Sequence, residues 1–263
     1  MDAEQCLPSV VWHLYDYFLH PSGGYFGAKK ACEPLHVQYS YADRSVVVVN
    51  NLYHSVPGLN VIAVLYDSDV RQRFFHQAAV NSPEDSVQRA MVIPEISPAP
   101  KISFLKLTLE DRSGNLLSSN FYWLPAKLSV FDWDLARTNQ HAYYSAVSAY
   151  EDLTMLNHLP TARLQASATL QTGREDTVRI HLQNPTSSLA FMVKLGICDN
   201  RGDEILPVLW EDNYLSLLPA ESRVVVARYP AQKLGAHAKL EVEGWNVGRM
   251  IVPVAQLDTG IRK

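Results

Sequence analysis

Cysteine is scarce in this chain. Its 263 residues hold three, Cys6, Cys32 and Cys198, far apart and odd in number. No CxxC pair occurs, which excludes the usual zinc cage, and the dispersed spacing points to free thiols rather than a disulfide framework. At least one thiol is expected to be buried as a small hydrophobe. The nine histidines are scattered, with no HExxH and no close pair, so no metal site is expected. There is no GxSxG elbow, no phosphate-binding loop and no dinucleotide fingerprint, and no cofactor is expected. Long apolar runs are missing too. Val46 to Val49 is among the longest, far short of the ~20 residues of a membrane helix. No basic block stands out and the net charge is -4, which argues against nucleic acid as a partner. Asp2, Glu4 and Pro8 make a poor secretory leader.

What is present is an apolar, moderately charged composition, 47% hydrophobic and 19% charged, as in a globular protein. The length allows two domains. Residues 1–34 read as helical. Val10, Val11, Leu14, Tyr15, Phe18 and Leu19 recur at helical spacing, with Ser9 as N-cap. A second short helix is predicted over Tyr25 to Cys32, ending ahead of Pro34. Trp12, Tyr15, Tyr17, Phe18, Tyr25 and Phe26 give this segment more apolar surface than a helix pair can bury, so it must dock on a domain.

From Leu35 the period changes to two. Val37, Tyr39 and Tyr41 alternate, Ser45 to Asn51 and Asn60 to Tyr66 read as strands, and Val70 to Val80 continues the pattern. Ile102 to Glu110, the turn Asp111–Asn115 and Leu116 to Leu124 form a hairpin signal. Residues 35–126 are therefore expected to form an antiparallel β-sandwich of immunoglobulin type. Residues 127–161 read as a connector held to a domain surface by Phe131, Trp133, Tyr143 and Tyr144, with helical turns over Ala149 to Leu156. Residues 162–263 form a second β series. Strands are expected at Leu164–Leu170, Val178–Leu182, Phe191–Cys198, Ile205–Trp210, Arg223–Arg228, Ala238–Glu243 and Val247–Val254. The fold class is thus mainly β, two immunoglobulin-like sandwiches behind a short helical segment. Phe104–Leu107 before Asp111-Arg112-Ser113-Gly114 echoes Met192–Leu195 before Asp199-Asn200-Arg201-Gly202, an echo that hairpin chemistry alone could produce.

The second series centres on Trp210-Glu211-Asp212-Asn213-Tyr214. Two acids, an amide and two large aromatics can hold a sugar, the ring stacking and the carboxylate accepting from hydroxyls. Equally, Trp210 and Tyr214 can plug the sandwich at a strand end. Asp212, Asn213 and Tyr214 lie past the strand end and are the candidate ligand-contacting residues. A catalytic acid pair is not apparent. Glu211 and Asp212 are adjacent and point to opposite faces of a strand, while Asp132 and Asp134 lie in the connector.

Three runs carry a resemblance. Trp12-His13-Leu14-Tyr15-Asp16-Tyr17-Phe18-Leu19, Gly24-Tyr25-Phe26-Gly27-Ala28-Lys29-Lys30-Ala31 and Glu33-Pro34-Leu35-His36-Val37-Gln38-Tyr39 resemble the end of the catalytic barrel in glycoside hydrolase family two. The branch is that of exo-β-D-glucosaminidases and β-mannosidases, including glycoprotein endo-β-mannosidases. Asp43–Asn50 and Asn120–Leu124 resemble the first and last strands of the immunoglobulin-like domain after that barrel. Residues 210–222 resemble the signature of the final immunoglobulin-like domain, with Ala220 where the family usually carries glycine. The resemblance implies the C-terminal part of a retaining β-glycosidase whose catalytic carboxylates lie on earlier barrel strands, so that no residue here is catalytic. It makes the parent's own TIM barrel the partner, with Asp212, Asn213 and Tyr214 contacting either that barrel or an oligosaccharide. Where the family carries Trp-Pro-Ser beside the substrate pocket, this chain has Leu7-Pro8-Ser9, without the tryptophan. The alternative is a free-standing carbohydrate-binding or adhesion protein of two sandwiches, which has no reason to keep a barrel-closing helix.

Overall fold

The computed structural model describes residues 14–138, 146–230 and 238–256. The chain forms two compact units. One runs from Glu33 to His158; the other joins the residues up to Cys32 with those from Leu159 onward.

The Glu33–His158 unit is a sandwich. One sheet has the order β1-β2-β5, with β1 (Leu35–Tyr39), β2 (Ser45–Asn50) and β5 (Ser86–Val92). The other has the order β4-β3-β6-β7, with β3 (Val56–Asp67), β4 (Gln72–Ser82), β6 (Ile102–Glu110) and β7 (Leu116–Pro125). All pairings in these two sheets are antiparallel. Alternation places Val37, Val46 and Val48 of the first sheet against Leu59, Val61, Ala63, Leu65, Leu105, Leu107 and Leu109 of the second, in one core. Strand β5 has no counterpart in the sequence expectations. Its polar Gln88 lies opposite the buried Val48 while its Val87 points outward, which blurs the alternation that marks its neighbours.

Past β7, β8 (Val130–Phe131) pairs with β9 (Val147–Ala149), and α2 (Trp133–Thr138) lies between them. Phe131 and Trp133 do not anchor this stretch to a surface. They are 57% and 65% exposed and stack on each other, ring centroids 5.6 Å apart. Tyr143 and Tyr144 lie outside the described residues. In place of helical turns over Ala149–Leu156 there is a 3-10 turn at Thr154–His158, started by Asp152 accepting from the backbone and hydroxyl of Thr154.

In the other unit, helix α1 (Gly23–Ala31) precedes an eight-stranded arrangement of order β13-β15-β11-β10-β17-β16-β12-β14. Its strands are β10 (Gln165–Gln171), β11 (Glu175–Gln183), β12 (Ala190–Cys198), β13 (Leu209–Trp210), β14 (Leu215–Leu217), β15 (Ser222–Pro230), β16 (Lys239–Gly244) and β17 (Val247–Gln256). Strand β17 changes partners along its length. It is antiparallel to β16 through Pro253 and parallel to β10 from Val254 to Gln256. Leu170, Val178, Ile180, Leu182, Val225 and Tyr229 form one core with Val193, Leu195, Leu217, Leu240 and Val242. The strand expected over Ile205–Trp210 shrinks to its last two residues. Glu204 and Ile205 still bond to β12, but Pro207 has no N–H for a ladder and breaks the run ahead of β13. Leu215–Leu217, not expected as a strand, pairs with β12.

Four turns share one geometry. At Asp16, Asp67, Asp111 and Asp199 the aspartate backbone N–H donates to the carbonyl four residues on. Its carbonyl accepts from the N–H three residues on, and its Oδ1 accepts from the N–H groups two and four residues on. The fourth residue takes a positive φ: Leu19 (67), Val70 (61), Gly114 (81) and Gly202 (93). This is the asparagine- or aspartate-led turn that a short side chain builds by capturing local backbone. It accounts for the echo between Asp111 and Asp199. It also overturns the helix expected over Val10–Leu19, as far as the described residues reach. From Leu14 the chain is not helical; the Asp16 carboxylate takes the N–H groups of Phe18 and His20, and Tyr15 and Pro21 form an antiparallel bridge.

Candidate functional site

Helix α1 starts where Ser22 caps it, accepting from the Tyr25 N–H at 3.3 Å. Its Phe26 is 4% exposed and belongs to the core of the second sandwich. The aromatic-rich segment thus docks, as its surplus of apolar surface requires. Tyr15, Tyr25 and Phe26 form a chain of ring contacts, at 4.9 and 5.0 Å, and Phe26 meets Tyr214 at 5.9 Å. Burial and a side-chain hydrogen bond to Tyr25 push the Tyr15 phenol up to about 12.

The loop after β13 receives this segment residue by residue. Trp210 is buried, 7% exposed, its indole in the sandwich core, so the structural role holds for it. Its carbonyl accepts from Lys29 Nζ at 2.9 Å, and the Glu211 carbonyl accepts from the same ammonium at 2.6 Å. Glu211 caps the end of the β15 ladder, its N–H donating to the Val226 carbonyl and its Oε2 accepting from the Val226 N–H. Lys30 Nζ lies 3.5 Å from Asp212 Oδ2. Adjacent lysines on one short helix therefore split the work: Lys29 takes two carbonyls left open where β13 ends, and Lys30 takes the carboxylate.

Asn213 is 5% exposed and spent inside the sheet. Its Oδ1 accepts from the Leu195 N–H at 2.8 Å and its Nδ2 donates to the Leu195 carbonyl at 2.9 Å. The side-chain amide thus imitates a strand residue and extends the β12–β14 pairing past Leu215. The same Oδ1 accepts from the Tyr214 N–H, which helps hold Tyr214 at φ 54. That positive φ turns the half-buried Tyr214 ring toward α1, where a Cβ on Gly23 would meet it at 3.6 Å. Burial raises the Tyr214 phenol, with Lys194 opposing.

Beside this seam is an open groove of about 470 Å³ whose walls include Tyr15, Tyr25, Lys29, Leu209, Glu211 and Arg228. Its polar groups are largely occupied: Lys29 by carbonyls, Glu211 by Val226. Of the three candidate residues, Asp212 and Tyr214 face α1 and Asn213 faces Leu195. The other acids singled out in the sequence, Asp132 and Asp134, serve the short helix α2. Asp132 is half-buried and caps α2 by accepting from the Leu135 N–H, and the exposed Asp134 lies 3.4 Å from Arg137. Among the described residues, no group of three or more His, Cys, Asp or Glu could hold a metal ion. Cys32 and Cys198 are free thiols, and Cys6 lies outside the described residues. Sequence reasoning missed Lys29, whose partners are backbone carbonyls and leave no pattern.

Comparison with known proteins places this architecture. Residues 142–247 match the family described as the exo-β-D-glucosaminidase Ig-fold domain. The chain is 34% identical over 252 residues to the exo-β-D-glucosaminidase of Amycolatopsis orientalis, covering 93% of this chain and 24% of that protein. It is 35% identical over 255 residues to the exo-β-D-glucosaminidase of Streptomyces avermitilis, 94% of this chain and 28% of that protein. The crystal structure of the Amycolatopsis orientalis exo-chitosanase superposes with a TM-score of 0.87 at 32% identity, over 95% of this chain and 30% of that one. The chain thus spans about a quarter of the length of the curated relatives it matches.

Proposed function

We propose that this chain, which carries the Ig-fold domain of the exo-β-D-glucosaminidases of glycoside hydrolase family two, is the non-catalytic accessory portion of a retaining β-glycosidase. Its task is to brace the catalytic barrel. The observation that carries this reading is the match of nearly the whole chain to about a quarter of each relative. The seam built by Lys29, Lys30, Phe26 and Tyr214 supports it. The segment ahead of the first sandwich is stitched into the second by groups that could instead have served a ligand. The family match favours β-glucosaminides over β-mannosides as the parent's substrate class.

The test is removal of the matched region from the Amycolatopsis orientalis relative. Bracing predicts loss of folded, active enzyme. A truncated enzyme that keeps both its melting temperature and its kcat/KM overturns the reading. The free-standing alternative gains ground if this chain binds glucosamine oligosaccharides in isothermal titration calorimetry.

A further inference from the structure

His20 closes the Asp16 turn, and its two ring nitrogens face two carboxylates from distant parts of the chain. Nε2 lies 2.5 Å from Glu204 Oε1, and Nδ1 lies 3.4 Å from Asp16 Oδ2. Glu204 follows β12 and is held in a bridge with Cys198. Asp16 cannot turn away, because its other oxygen accepts from the N–H groups of Phe18 and His20. Neither contact has hydrogen-bond geometry, so what the two carboxylates favour is the charge of the imidazolium rather than a pair of N–H bonds.

The other groups facing this site are Lys194 of β12 and Tyr214, which line the same small recess as His20 and Glu204. Lys194 opposes a second positive charge here, but its ammonium lies 3.7 Å from Glu243 Oε1 on β16. The Tyr214 phenol, raised by burial, stays neutral across the range where imidazole titrates. Two carboxylates against one ammonium leave the balance in favour of the proton.

We propose that His20 is a pH-sensitive latch: its protonation fastens the segment carrying the Asp16 turn and α1 to the β12 side of the second sandwich, and its deprotonation loosens that segment. The Glu204 contact raises the imidazole above its ordinary value, and burial works against it. A group whose folded-state pKa is raised stabilises the folded form fully below its unfolded pKa, near 6.5. That contribution is lost as the pH rises through the raised value. The latch is therefore closed in mildly acidic solution and open in alkaline solution. His20 is partly exposed, so added salt weakens it. The latch rests on this chain alone and does not depend on which bond the parent cleaves.

The test is hydrogen–deuterium exchange of the whole chain between pH 5 and 8, corrected for intrinsic exchange. Protection of Gly23–Ala31 should fall about two- to fivefold across this range, the scale of a partly exposed ion pair, while Val56–Asp67 in the other unit stays level. The step should vanish in His20→Gln and in Glu204→Gln, the second variant serving if the first does not fold. Asp16→Asn, which keeps the turn's acceptor, should shrink it. An imidazole titration by NMR should place His20 above 6.5. Flat protection in the parent chain, a step that survives either Gln variant, or a His20 midpoint at or below 6.5 overturns the latch.

Discussion

The ring of Phe26 lies 5.9 Å from that of Tyr214, joining the helix ahead of the first sandwich to a loop of the second. Phe26 is almost fully buried, so its truncation leaves a cavity that the rigid sheet behind it cannot collapse. Phe26→Ala is expected to destabilise the second sandwich by roughly 3–5 kcal/mol. Urea unfolding followed by exchange mass spectrometry checks this, because the loss should appear in β10–β17 and spare β1–β7.

Asn213 replaces a missing rung between β14 and β12. Asn213→Ala orphans the N–H and carbonyl of Leu195 and is expected to cost about 1–3 kcal/mol. Asn213→Asp is expected to cost more, since it loses the donor and buries a charge. Chemical denaturation of both variants gives the order. Equal stability of Asn213→Ala and the parent chain would contradict the role assigned to this amide.

Positive φ angles at Val70 and Ala220 mark positions where glycine fits better than the residue present. The left-handed region costs an L-residue about 1–2 kcal/mol, of which glycine's extra freedom in the unfolded chain returns a part. Ala220→Gly and Val70→Gly are each expected to stabilise by roughly 0.5–1 kcal/mol, read as a raised melting temperature. The glycine that the resemblance assigns to position 220 thus has a backbone reason.

Arg249 holds Glu241 through two bonds, at 2.6 and 2.9 Å, and keeps its carboxyl below the ordinary glutamate value. A depressed pKa contributes stability above the unfolded value, and that stability is lost as the pH falls through the depressed one. Glu241→Gln should therefore flatten part of the acid limb of the melting-temperature profile below about pH 4.5. A profile that superposes on the parent's would remove this pair from the account.

The sandwiches were legible because their inward valines and leucines repeat every second residue, as in Ser45–Asn50 and in β11, and one face of each is buried. Three features were not. The spacing of Leu14, Tyr15, Phe18 and Leu19 imitates a helix, but Asp16 offers the backbone a nearer acceptor, and a local bond defeated the pattern. Pro207 was visible and should have shortened its strand. The docking of α1 was half legible. Its aromatics announced a buried face, but Lys29 meets carbonyls some 181 positions away, and nothing in local sequence encodes that distance. At the candidate site the residue types were right for a sugar, yet Asp212, Asn213 and Tyr214 are engaged with Lys30, Leu195 and Phe26.

The most direct test of the central claim, that this chain performs no glycosidic chemistry of its own, is an initial-rate assay on p-nitrophenyl β-D-glucosaminide beside the Amycolatopsis orientalis exo-chitosanase. The claim rests on the helix-capping role of Asp132, the exposed place of Asp134 beside Arg137 and the structural engagement of Glu211 and Asp212. The expected result is no release of nitrophenol above buffer at any pH from 4 to 8, while the relative turns over. Turnover by the purified chain that disappears in Asp132→Asn, Asp134→Asn, Glu211→Gln or Asp212→Asn would contradict it.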